Sequence, residues 1–124
     1  VTVLTSLDRG DLDDLGFQCD VEELVLSRAR RAIHCGCDGV VASGHEAARL
    51  RDELGDRLMI VIPGIRPVEN TDDQKRTVTV QDAFSHGADD IVVGRPIRDA
   101  GNPRKVAETI QREIASALMS ARPS

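Results

Sequence analysis

Residues 61–76, "VIPGIRPVENTDDQKR", open as a buried strand and then stop behaving as one. Val61 and Ile62 are β-branched, and Pro63-Gly64 punctuates the run. The segment from Gly64 to Val78 is polar and cationic, and the next helix signal comes only at Thr79. Connections in α/β units usually run about 2–6 residues, and longer ones are commonly binding loops. Arg66, Gln74, Lys75 and Arg76 can donate hydrogen bonds to an anion. Glu69, Asp72 and Asp73 can pair with those cations and hold the loop's shape. On spacing alone, a solvated surface loop is the plain alternative.

Working outward, the strand-then-helix rhythm recurs. "VTVLTS" (1–6) is β-branched and apolar and reads as a strand, and residues 8–17 as a turn with one short helical turn. In 21–36, Val21, Leu24, Val25, Arg28, Ala29, Ala32 and Ile33 follow the spacing of a helix with one buried stripe. Asp20 is its expected N-cap, with Glu23 completing a capping box and Gly36 at C′. "DGVVAS" (38–43) reads as a strand, 44–55 as a helix, and "RLMIVIPG" (57–64) as a strand covered on both faces, since it is apolar almost throughout. A helix over 79–88 capped by Thr79 and a strand over 89–97 follow. The last helix, 102–121, has Asn102 as N-cap, Pro103 at its first position, and a stripe of Val106, Ile110, Ile114 and Leu118.

Strand and helix alternate four times, which defines an α/β chain with a parallel sheet. Its 124 residues make one domain. Four βα units fit a small doubly wound sheet or half of an eight-stranded barrel, which needs about 250 residues. Pattern alone leaves both open. Either architecture places function at the carboxyl ends of the strands. Thr5, Ser6, Ala42, Ser43, Pro63 to Arg66, Gly94 and Arg95 stand there.

Composition narrows the chemistry. Apolar residues are 40% and charged residues 30%, as in a globular chain. Aromatic residues are 2%, too few to stack single-stranded bases, and the net charge of −5 disfavours a phosphate-backbone binder. No apolar run approaches the ~20 residues of a membrane span. The three cysteines, Cys19, Cys35 and Cys37, lack a disulfide framework's spacing and point to a reducing, cytoplasmic setting. Cys35-Gly36-Cys37 reads as small residues at a helix-to-strand junction rather than metal ligands. His34, His45 and His86 read as surface or helix-end residues, and Asp8, Asp11, Asp13 and Asp14 as a solvated turn. Asp89-Asp90 precede a strand, away from the carboxyl ends, and read as structural.

"VVGRPI" (92–97) strengthens the anion reading. Glycine lets a ligand approach the backbone, and the arginine fork matches phosphate oxygens. Arg66 after the third strand and Gly94-Arg95 after the fourth would converge on one anion, as at the phosphate sites of eight-stranded barrels.

"TVLTS", "DGVVASGHE", "VIPGIRP…DQKR" and "GADDIVVGRPI", in this order over essentially the whole chain, resemble the carboxyl-terminal half of bacterial-type orotidine 5′-monophosphate decarboxylases. The resemblance implies a (β/α)8 barrel of which this chain supplies the last four βα units. It implies that Thr5 lies beside the pyrimidine ring, with Ser6 next to it. Pro63 and Arg66 belong to the PGIR motif, and Arg66 and Gln74 meet the 5′-phosphate under a closing loop. Gly94 and Arg95 complete the phosphate cradle. No metal or organic cofactor takes part in the family's chemistry. Relatives often carry Ser-Pro where this chain has Ser43-Gly44, a change expected to alter loop stiffness more than chemistry.

The family's catalytic Asp-x-Lys-x-x-Asp motif occurs nowhere in this sequence, whose lysines are Lys75 and Lys105 alone. No catalytic residue is therefore expected here, and the isolated chain is expected to be inactive. The complete protein is expected to convert orotidine 5′-monophosphate to UMP, and this chain to bind phosphate and part of the pyrimidine. A non-catalytic UMP-binding half-barrel and another sugar-phosphate barrel enzyme are the alternatives. A strand starting at residue 1 without Met leads to the expectation of residues upstream. Open sheet edges lead to the expectation of a homo-oligomer, or of pairing with an amino-terminal half.

Overall fold

The structure is a computed structural model of the 124-residue chain and describes residues 1–66 and 76–121. Its elements run α1 (Arg9–Asp14), α2 (Val21–His34), β1 (Gly39–Val41), α3 (Gly44–Leu54), a 3-10 turn (Gly55–Arg57), β2 (Met59–Ile62), α4 (Val80–Ser85), β3 (Asp90–Ile91), α5 (Arg95–Arg98) and α6 (Pro103–Ala121). The strands form one parallel sheet in the order β1-β2-β3, with Val40 opposite Ile60 and Ile62 opposite Ile91. This is the expected α/β class with its parallel sheet.

Local chemistry sets the helix starts. The Asp8 carboxylate accepts from the Asp11 amide at 3.0 Å, and Asp11 returns the favour to the Asp8 amide at 2.8 Å. The acidic turn is thus mostly capping, with Asp13 paired to Arg9 at 3.0 Å. Asp20 caps α2 through the Glu23 amide at 2.8 Å. The Glu23 carboxylate does not close the expected box; Arg49 engages it at 2.9 Å, tying α2 to α3. Gly36 has φ +88° at the end of α2, as a C′ glycine should. Thr79 and Asn102 cap α4 and α6.

Three expectations about the strands need correction. Residues 1–6 do not form a strand: Thr2 donates its amide to Val41 O at 3.0 Å, but no ladder follows. Arginine donors take the segment's carbonyls instead, Arg28 at Thr2 O (2.6 Å) and Arg76 Nη2 at Val3 O and Leu4 O (3.1 Å each). The strand expected over 89–97 is only Asp90–Ile91, and Arg95–Arg98 is helical. Gly94, at φ −105° and ψ −92°, turns the chain out of the sheet, and Pro96 has no amide for a ladder.

The third correction concerns coverage. In β2, Ile60 and Ile62 are fully buried, whereas Met59 is 49% exposed. Alternate side chains point to opposite faces, so the helices cover one face only. The other carries Val41, Met59 and Val61, with the exposed Val92 just beyond β3. The covered face forms the core with Val25, Ala29, Ala47, Leu50, Ala83 and Ile110. Burying one aliphatic side chain of this kind contributes about 1.5–3 kcal/mol. Of the α6 stripe, Ile110 is buried and Val106 and Ile114 pack against the core, but Leu118 is exposed and Ala117 is buried in its place.

Candidate functional site

Because the strands are parallel, their carboxyl ends share one edge of the sheet. There Val41, Pro63, Gly64, Arg66, Val92, Gly94 and Arg95 line a cleft of about 310 Å³, closed on one side by Val1, Val3, Leu4 and Thr5. The expected site residues Thr5, Pro63, Arg66, Gly94 and Arg95 therefore meet in one cleft. Ser6 adjoins it but is not part of its wall. Gln74 lies outside the described residues.

Each wall residue is set by its own element. Gly64, at φ +73°, turns the chain sharply after β2, a conformation side chains disfavour. The returning chain then pairs with it: Arg66 donates its amide to Val78 O at 3.1 Å, and Val78 donates to Gly64 O at 3.4 Å. That short parallel bridge, Ile65 with Val78, holds the backbone of Arg66 at the cleft. Thr5 is buried, and its carbonyl accepts from the Arg76 amide at 3.1 Å. Gly94 leads from β3 into α5, whose first residue is Arg95.

Two half-buried arginines, Arg66 and Arg95, stand in the cleft's wall. Beyond them, Asp99 closes α5. A bidentate hydrogen bond from Arg98 (2.7 and 3.0 Å) holds its carboxyl below the ordinary carboxylate range, and the charges of Arg98 and Arg95 act in the same direction. An apolar floor with two guanidinium groups in the wall can hold a flat organic ring carrying an anionic tail.

Sequence reasoning misplaced one residue. Arg76, read as an anion donor, is only 6% exposed and is committed inside the protein. It pairs with Glu46 at 2.5 Å, and Glu46 is 3% exposed. Ser43, at the N-cap of α3, donates its amide (3.2 Å) and its hydroxyl to the same carboxylate. The signal was present as Ser43-x-x-Glu46, a capping box whose buried carboxylate calls for a cation.

The remaining polar residues stay structural. His45 Nε2 meets Thr77 O and His86 Nδ1 meets Gly44 O, each at 3.0 Å. Cys35 and Cys37 are free and exposed at the junction of α2 and β1. Among the described residues no cluster of His, Cys, Asp or Glu could hold a metal ion, and no helix is long and apolar enough to cross a membrane.

A parallel sheet whose strands end at an arginine-walled cleft defines an α/β protein of the kind that places its sites at the strands' carboxyl ends. Its sequence makes the assignment specific. The family model of the orotidine 5′-phosphate decarboxylase / HUMPS family matches residues 1–110, and the chain belongs to that family. Over 116 residues it is 69% identical to the orotidine 5′-phosphate decarboxylase of Methylococcus capsulatus, covering 92% of this chain and 48% of that protein. With the Nitrobacter winogradskyi enzyme of the same name it shares 55% identity over 119 residues, 95% of this chain and 50% of the relative. The crystal structure of orotidine 5′-phosphate decarboxylase from Lactobacillus acidophilus superimposes with a TM-score of 0.75 at 37% identity, over 91% of this chain and 46% of that one. The chain thus spans about half the length of the curated relatives it matches.

Proposed function

We propose that residues 1–124 are a single domain, the carboxyl-terminal half of a (β/α)8 barrel, and that the complete protein decarboxylates orotidine 5′-monophosphate to UMP. The uncovered sheet face supports this reading, because the inner face of a barrel is filled by side chains of all its strands. Val41, Met59, Val61 and Val92 are suited to such an interior. The coverage of half of each relative supports it too.

In this reading Arg66, Gly94 and Arg95 hold the 5′-phosphate, joined by Gln74 on the family resemblance. Thr5 and Ser6 stand beside the pyrimidine, and Pro63 fixes the turn into the phosphate loop. The chain does not hold the lysine that would protonate the carbon losing CO2. Its contribution is binding energy from a remote, non-reacting phosphate, which closes and orders the site over the ring. No metal or cofactor has a role. The partner is an amino-terminal half or a second copy meeting the open sheet edges, in a reducing cytoplasm where free cysteines persist.

One observation carries the proposal: Arg66 and Arg95, from two different strand ends, line one cleft with Thr5. Calorimetric titration of the chain with UMP tests it. Losing a charged hydrogen bond costs about 1.5–3 kcal/mol, so Arg95→Ala should weaken UMP at least tenfold. An unchanged affinity would contradict the assignment. A non-catalytic UMP-binding half-barrel is the second reading, favoured by the missing Asp-x-Lys-x-x-Asp motif. It predicts the same binding, and no turnover even when an amino-terminal half is supplied.

A further inference from the structure

Arg76, a buried cation among the described residues, sits beside the cleft, not in it. We propose that Arg76 is a positioning residue that locks the phosphate side of the cleft to the pyrimidine side. The inference rests on the reading of the cleft given above and adds a residue that reading does not use.

The geometry is specific. Arg76 ties two distant parts of the chain together. Its Nη1 pairs with Glu46 on α3, its Nη2 donates to Val3 O and Leu4 O at 3.1 Å, and its amide donates to Thr5 O at 3.1 Å. Two residues on, Val78 accepts from the Arg66 amide at 3.1 Å. Among the described residues, a path from Arg66 to Thr5 therefore runs through Val78 and Arg76, in hydrogen bonds and two peptide units. Val3, Leu4 and Thr5 have no strand ladder of their own, so Arg76 does for them what a neighbouring strand would do.

A planar fork is needed for this arrangement. Guanidinium donors diverge at fixed angles and can serve a carboxylate and two carbonyls together; a lysine ammonium is a single point that cannot span them. The pair is nearly dry, at 6% and 3% exposure, so removing one charge strands the other. A ligand that touches both Arg66 and Thr5 gains from their fixed separation, because that separation is ordered before binding. Inorganic phosphate, touching only the arginines, gains nothing from it.

The test compares UMP with inorganic phosphate by NMR titration of the chain and its variants, with folding checked by thermal melting. Arg76→Lys should weaken UMP about tenfold while changing phosphate affinity less than threefold. Arg76→Met/Glu46→Met, which removes both buried charges, should lower the UMP-to-phosphate ratio equally and keep the chain folded if the single variant does not. Arg95→Ala should weaken both ligands. A UMP-to-phosphate ratio unchanged in both Arg76 variants, with Arg95→Ala still weakening both, overturns the positioning role and leaves the cleft assignment standing. If Arg95→Ala weakens neither, the cleft assignment itself falls, and the inference with it.

Discussion

Asp89 and Arg51 meet at 2.8 Å at the amino-terminal end of the sheet, the end away from the cleft. The same Asp89 oxygen accepts the Ile60 amide at 2.8 Å, and Arg51 also donates to Leu58 O at 3.0 Å and Gly87 O at 2.7 Å. One ion pair thus ties α3, β2 and the turn before β3. Asp89→Ala leaves the Ile60 amide without its acceptor and takes the carboxylate from Arg51, which keeps its carbonyl acceptors. The side chain is 41% exposed, so water offsets part of the loss. The expected cost is about 1–2 kcal/mol, read as a lower urea midpoint, with UMP affinity unchanged.

Gly44 is the second test of packing. A Cβ there would stand 2.5 Å from Val78 Cγ2 and 2.6 Å from Cγ1. Glycine at this position is therefore a matter of close approach. Overpacking costs about 1–3 kcal/mol, more than the gain of up to about 1 kcal/mol from helix propensity. Gly44→Ala should lower the melting temperature, and Val78→Ala in the same chain should recover part of the loss. Additive losses in the double variant would show that the two residues do not compete for space.

Ile60, at the centre of β2 and fully buried, anchors the covered face. Ile60→Ala should cost about 2–5 kcal/mol. Met59→Ala, on the uncovered face of the same strand, should cost far less in the isolated chain. Chemical denaturation of the two variants gives the contrast directly, and equal losses would mean that both faces are packed.

These contrasts follow the line between what was legible in the sequence and what was not. Helices with caps and periodic apolar stripes could be read, because capping and the 3.6-residue period are local. The ends of β2 and β3 could be read as a site because Pro63-Gly64 and Gly94 punctuate apolar runs. The strand at 1–6 was misread because β-branched composition reports a willingness to extend, not a partner to pair with. Arg28 and Arg76, 26 and 72–73 residues away, decide that segment. Continuous apolar β2 looked two-sided because composition carries no record of which face a helix covers. Arg76 reads as a ligand donor in the sequence because its partner Glu46, 30 residues upstream, is invisible to any local reading.

Turnover is the fourth expectation. The sequence of this chain holds no Asp-x-Lys-x-x-Asp motif, and neither Lys75 nor Lys105 stands in such a context. Incubated with orotidine 5′-monophosphate, it should release no UMP above background. Mixed with an amino-terminal half carrying that motif, it should gain activity that Arg95→Ala reduces. Decarboxylation by the purified chain alone would place the catalytic groups within these 124 residues.

The central claim is a shared anion site at two neighbouring strand ends, and a crystal structure of the chain with bound UMP tests it most directly. The account predicts the phosphate at hydrogen-bond distance, about 2.7–3.2 Å, from donors of Arg66 and Arg95, with the pyrimidine turned toward Thr5. UMP seated elsewhere, or in the cleft with its phosphate turned away from both arginines, would contradict it.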